Sequence, residues 1–111
     1  FFHYSQIVQE GFKTVDPGQK VEFEGSLVIL GDVNDGAEVI AGENIIVLGD
    51  LRGLAHAGAK GNKEAIIAAS SIEAPQLRIS NIIKEREREE ILESTQKTYA
   101  YVDADGKMEL E

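Results

Sequence analysis

The 111-residue chain carries 20 acidic against 11 basic residues, a net charge of −9, and no cysteine. Phosphate backbones and anionic lipids attract clustered lysine and arginine, and no basic cluster here stands free of acids, so direct binding to nucleic acid or to a membrane is not expected. Without cysteine there are no disulfides, no thiol nucleophile and no Cys-type zinc site.

A hydrophobic content of 42% suits one globular domain with a modest core. No apolar run approaches the roughly 18 residues that a spanning helix needs, and no signal peptide is visible. The only methionine is Met108, so the chain reads as a fragment of something longer.

Phe1-Phe2-His3-Tyr4 opens the chain as an aromatic segment, and His3 lies too near the start to interpret. Ile7-Val8 is a candidate incomplete first strand, so residues 1–11 read as a linker or the beginning of the first coil. Phe12 to Val15 alternates like a strand and leads into Asp16-Pro17-Gly18-Gln19. A Pro-Gly pair fits the centre of a type II turn, because proline fixes φ near −65° and glycine accepts the positive φ that follows. Lys20 to Phe23 alternates again, and Glu24-Gly25 makes the next corner.

From Gly25 onwards, short apolar runs are separated by Gly, Asn and Asp, the grammar of strands and corners. Leu27 to Leu30 turns at Gly31-Asp32, Val33 at Asn34-Asp35-Gly36, Ala37 to Ile40 at Gly42-Glu43, and Ile45 to Leu48 at Gly49-Asp50. Stepping by six from Val15 gives Val21, Leu27, Val33, Val39, Ile45, Leu51 and Ala57, all aliphatic. Neither a helix nor an isolated strand asks for that period, whereas a triangular coil of three six-residue sides does. Ser26 to Val33 recurs 18 residues later as Asn44 to Leu51, which sets the coil length independently. After Ala57 a polar loop, Gly58 to Lys63, interrupts the ladder. The step of six resumes two residues late at Ala65, Ser71, Leu77 and Ile83, so a two-residue slip is expected.

The coil therefore occupies residues 12–81, and residues 82–111 form a cap. Ile82 to Thr95 is rich in helix formers and is predicted to be a short helix with Ile83 and Ile91 on its buried side. Its alternating charges include the pairs Arg86/Glu90 and Glu85/Arg88. Lys97 to Val102, a turn at Asp103-Ala104-Asp105-Gly106, and Lys107 to Leu110 are predicted to form a hairpin that covers an open end of the coil.

Two features suggest chemistry. Asp32 and Asp50 would stack at one corner, about 4.8 Å apart. A calcium ion requires six to eight oxygen ligands, so two stacked carboxylates read better as turn formers. His56 is the lone histidine of the repeat region and keeps open a hexapeptide-repeat acyltransferase with His56 as general base. That pattern wants a small or acidic residue after each aliphatic stop, and Val28, Asn34, Ile40, Ile46 and Arg52 fit it poorly. No phosphate loop, metal-spaced cluster or Ser–His–acid set is present, and no cofactor is expected.

The segment Gly25 to Ala41, with G-D-V-N-D-G-A-E-V at its centre, closely resembles the C-terminal domain family of the septum-site-determining protein MinC. So do Asn44 to Gly53, Ala55-His56-Ala57-Gly58, Ala65 to Ala69 and Gln76 to Ile79. The resemblance spans roughly Val15 to Ile83. It implies an all-β, right-handed single-stranded parallel β-helix that is not an enzyme. It further implies a homodimer, formed through an apolar solenoid face, that binds the membrane-associated ATPase MinD. With MinD, it would target the division protein FtsZ and prevent septum assembly at wrong sites. Location would be cytoplasmic, with recruitment to the inner face of the membrane through MinD.

The family's partner loop typically reads R-S-G-Q, and the matching residues here are Asp16, Pro17, Gly18 and Gln19. Gly18 and Gln19 carry the match, and Asp16 reverses the charge of the family's arginine. A further basic residue often follows L-R-G in the family, where this chain has Leu54; Arg52 and Gly53 are left as the FtsZ candidates. A structural solenoid that only assembles, like a bactofilin, is the remaining alternative.

Overall fold

The structure is a computed structural model that describes residues 9–93 and 95–111. Phe1 to Tyr4 and Ile7-Val8 lie outside the described residues. The strands are β1 (Gln9–Phe12), β2 (Lys20–Phe23), β3 (Ser26–Ile29), β4 (Glu38–Ala41), β5 (Ile45–Leu51), β6 (Leu54–Ala57), β7 (Ile67–Ile72), β8 (Gln76–Ile79), β9 (Ile82–Glu85), β10 (Tyr99–Val102) and β11 (Met108–Leu110). The single helix among the described residues is α1 (Arg88–Glu93).

These strands coil into a β-solenoid. One flank is a six-stranded sheet in the order β1-β3-β5-β7-β10-β11, and another is a five-stranded sheet in the order β2-β4-β6-β8-β9. The third side is narrow: Val15 bridges Val33 and Val33 bridges Leu51, and β5 and β7 bend round to add Leu51 and Ile72. Within the coils all pairing is parallel and nearly in register, Leu27 on Ile45 and Val21 on Val39. The step of six is therefore a real ladder. Val15, Leu27, Val33, Val39, Ile45, Leu51 and Ala57 are buried inside the coil, and Val21 is packed against them.

The slip after Ala57 differs in size from the sequence reading. Ala55 stacks on Val39, sixteen residues away rather than 18, because the Gly53 corner is two residues tighter than the one before it. The loop after β6 then restores more than was lost, so that Ile45 pairs with Ile67, 22 residues on. Inward-facing residues alternate with period two, and slips of two and four residues leave the same faces apolar; periodicity could not tell them apart. Of the resumed ladder, Ala65 and Leu77 are core, while Ser71 is half-buried and Ile83 is 48% exposed. The strand expected over Phe12 to Val15 ends at Phe12, and Val15 makes a single bridge.

The predicted helix over Ile82 to Thr95 is corrected in its first half. Ile82 to Glu85 is strand β9, antiparallel to β8 through a tight turn in which Ser80 takes φ +58°. Helix propensity is a weak preference, and the open edge of β8 offers a full hydrogen-bond ladder that outweighs it. α1 has only six residues and no buried side chain. The predicted hairpin forms as expected: β10 pairs with β7 and β11 with β10, closing the end of the other sheet. The register of β9 sets Lys84 beside Leu77 on the inward side. An inward charge of this kind discourages edge-to-edge pairing.

Candidate functional site

The corner between the narrow side and the five-stranded sheet repeats one turn in successive coils. In the first coil, Gln19 N–H donates to Asp16 O at 3.0 Å around Pro17 and Gly18, and Gly18 takes φ +85°. This is the type II arrangement that the Pro-Gly pair predicts. The Gln19 side chain folds back, its Oε1 accepting from Asp16 N–H at 2.8 Å, so the amide closes the loop from outside.

In the second coil, Ala37 N–H donates to Asn34 O at 3.0 Å and Gly36 takes φ +89°. The two loops are joined by Gly18 N–H to Gly36 O at 2.9 Å, and Pro17 lies directly against Gly36. The third coil contributes Arg52, whose N–H donates to Val33 O at 2.8 Å. Asp16, Asn34 and Arg52 thus form one column, so the residues proposed for two different partners stand two rungs apart, about 10 Å. Asp16 and Asp35 are exposed carboxylates on this column.

Arg52 is not a free cation. Its Nη2 lies 2.7 Å from Asp50 Oδ2 and its Nε 3.7 Å from Glu73 Oε1, with the side chain partly exposed. Gly53 is buried, and a Cβ there would stand 2.4 Å from Ala37 O and 2.6 Å from Asn34 O. The absence of a side chain at Gly53 allows close approach between coils.

The stacked Asp32 and Asp50 behave as turn formers. Asp32 Oδ1 accepts from Asp50 N–H at 2.8 Å, and among the described residues no acidic or histidine cluster could hold a metal ion. A matching column stands at a second corner, where Ser26 Oγ accepts from Asn44 N–H at 3.3 Å and Asn44 Oδ1 accepts from Ile66 N–H at 2.9 Å. His56 sits on the outer face of β6, with Nε2 2.9 Å from Ser80 O. Its ring is held by a backbone carbonyl at the β8–β9 turn, which makes it a tie between coils.

Sequence reading missed two features. Glu73 joins Arg52 from the fourth coil, across a register that periodicity could not count. Arg86 sits in the charge run expected to be solvated, yet it is 6% exposed, with Nη1 donating to Ile72 O at 2.9 Å and its backbone N–H to Pro75 O at 2.8 Å. Burial pushes its guanidinium below the ordinary arginine value, and the Glu90 carboxylate pulls it back up.

The outer face of the six-stranded sheet is apolar. Val28, Ile46, Ala68 and Tyr99 are in register across four strands, flanked by Leu30 and Leu48 at 58% and 59% exposure. Tyr99 and Tyr101 stack with centroids 5.4 Å apart. A hydrogen bond to Glu111 pushes the Tyr101 phenol above its ordinary value, helped by Glu109 and Asp103.

A coil whose interior is filled with apolar side chains, with its polar groups at corners and on outer faces, is a β-solenoid. The description "Septum formation inhibitor MinC, C-terminal domain" matches residues 11–111, and the chain belongs to that family. It is 46% identical over 99 residues to the septum site-determining protein MinC of Bacillus subtilis, covering 89% of this chain and 43% of that protein. It is 54% identical over 70 residues to the probable MinC of Acetivibrio thermocellus, covering 63% of this chain and 31% of that protein. The chain therefore spans less than half the length of these curated relatives. A chain of the MinC:MinD cell division protein complex of Aquifex aeolicus superposes with a TM-score of 0.84 at 36% identity, over 96% of this chain and 86% of that one. Family membership sets aside the acyltransferase reading of His56, since the family is one of non-enzymatic division inhibitors.

Proposed function

We propose that this solenoid is the partner-binding and self-pairing module of a division inhibitor. It binds a MinD-type ATPase, follows that ATPase to the membrane surface, and with it directs the inhibitor at FtsZ. The observation that carries this reading is the likeness to a chain of a MinC:MinD complex over nearly the whole length. No helix among the described residues is long and apolar enough to cross a membrane, and recruitment through a partner fits that.

The partner site is the corner column beginning at Asp16, Gly18 and Gln19 and continuing to Asp35 and Gly36. Gly18 and Gly36 keep the column flat, and Gln19 fixes the loop. Because Asp16 and Asp35 are exposed, the partner meets the corner with a basic group. The FtsZ contact is assigned to Arg52, whose guanidinium is oriented by Asp50.

The homodimer is assigned to the outer face of the six-stranded sheet. Pairing about a two-fold axis would bury the Val28–Ile46–Ala68–Tyr99 row, and contiguous exposed apolar surface of this kind marks an interface.

The test is ATP-dependent co-sedimentation of the chain with its cognate MinD-type ATPase on lipid vesicles. Pelleting with ATP but not ADP is expected, and a chain that stays in the supernatant under both would overturn the reading. Gln19→Ala should weaken pelleting several-fold with unchanged folding. Equal pelleting removes Gln19 from the site.

A further inference from the structure

The corner column does not end at Arg52. A groove beside it is lined by Asp35, Arg52, Glu73 and Pro75 and by Arg88, Ile91 and Leu92 of α1. Helix α1 is too short to hold itself together in water, since isolated helices under about 12 residues are marginal. It also buries no side chain of its own. Leu92 is 72% exposed at the groove's rim. Yet the approach to the helix is fixed. Arg86, two residues before it, is buried and tied to Ile72 O and Pro75 O, which places α1 beside the corner.

We infer that α1 and this groove are the second half of the partner site, and that the same ATPase which meets the 16–19 corner seats an apolar side chain against Leu92 while its neighbouring basic group faces Asp35. The inference rests on the partner reading above. Continuity argues for one occupant: Asp35 belongs both to the corner column and to the groove wall. Charge argues for its chemistry. The carboxylates of Asp16 and Asp35 are exposed along the approach, whereas the Arg52 guanidinium is held by Asp50 and Glu73. An approaching basic residue therefore meets the exposed Asp16 and Asp35 carboxylates on the corner side, with Arg88 also lining the groove, and an apolar one meets Pro75, Ile91 and Leu92.

The experiment measures the dissociation constant of the chain for its cognate ATP-bound ATPase by biolayer interferometry, with Leu92→Ser, Leu92→Met and Ile83→Ser compared with the native chain. Leu92 and Ile83 are both substantially exposed, so all three variants should keep the native thermal midpoint. Leu92→Ser is expected to weaken binding about tenfold, the effect of losing one well-buried apolar anchor. Leu92→Met should restore most of it, and Ile83→Ser, on the outer face of β9, should leave it unchanged. Native-like binding by Leu92→Ser overturns the groove and leaves the corner reading standing. Equal weakening by Ile83→Ser also overturns the groove, because the effect is then not local. A native chain that does not bind the ATPase at all overturns both.

Discussion

Asp32 accepts a 2.8 Å hydrogen bond from the backbone N–H of Asp50, its own counterpart one coil later. Thr14 Oγ1 does the same for the N–H of Asp32 at 3.2 Å. The column satisfies donors that the corners withdraw from the strand ladders, and it leaves the Asp50 carboxylate to hold Arg52. Replacing Asp32 by alanine strands the Asp50 N–H at a half-buried corner. A loss of about 1–2 kcal/mol is expected in urea unfolding, with Asp32→Asn losing much less because its amide oxygen can still accept. An unchanged midpoint in Asp32→Ala would mean that water replaces the carboxylate without cost.

Gly53 tests the claim that the FtsZ-candidate corner is partly architecture. A Cβ at this position would overlap two carbonyl oxygens of the preceding coil, and backbone cannot swing aside as a side chain can. Gly53→Ala should destabilise the fold by about 1–3 kcal/mol through forced separation of the second and third coils. Thermal unfolding reads the loss, and a variant as stable as the native chain would show that the corner is more pliant than its contacts indicate.

The ladder from Val15 to Ala57 was legible because burial in a solenoid repeats with the coil, and the sequence shows which positions face inward. The Pro17-Gly18 turn was legible for a local reason, since only a few backbone shapes accept that pair. What stayed hidden depended on counting or on competition. The tightened Gly53 corner and the long loop after β6 both shift register by even numbers, which changes no face. Ile82 to Glu85 is composed like a helix but lies beside the open edge of β8, and a neighbouring strand leaves no mark in local composition. Arg86 was hidden in a run of charges whose following members, Glu87 to Glu90, face solvent. For the candidate site, the loop residues were readable through family likeness, whereas Glu73 and Leu92 reach the corner only through the fold.

Leu48 tests the dimer face. At 59% exposure on the outer side of β5 it contributes little to the single chain, yet it flanks the apolar row at the centre of the proposed two-fold contact. Leu48→Glu places a charge in that contact and adds to a net charge already at −9. Light scattering should move from a dimer mass to a monomer mass while circular dichroism stays native. A dimer that survives the substitution moves the interface to another face, and a trimer in the native chain contradicts two-fold pairing altogether.

Arg86 tests how the cap is held. Its guanidinium donates to Ile72 O from a nearly fully buried position, and hydrogen bonds from charged groups contribute roughly 1.5–3 kcal/mol. Arg86→Met keeps the bulk and removes the donor, so Ile72 O loses its partner and Glu90 its nearby cation. The loss should concentrate in residues 86–93, because the coils below keep their own ladders and apolar core. Amide exchange is expected to accelerate at Ile91, whose N–H donates to Glu87 O at 3.0 Å, while the amides of β5 exchange as before. Binding to the ATPase should weaken in parallel if α1 lines the partner site. Uniform acceleration across β5 and α1 would instead mean that Arg86 supports the whole end of the solenoid, because the cap and the last coil would then open as one unit.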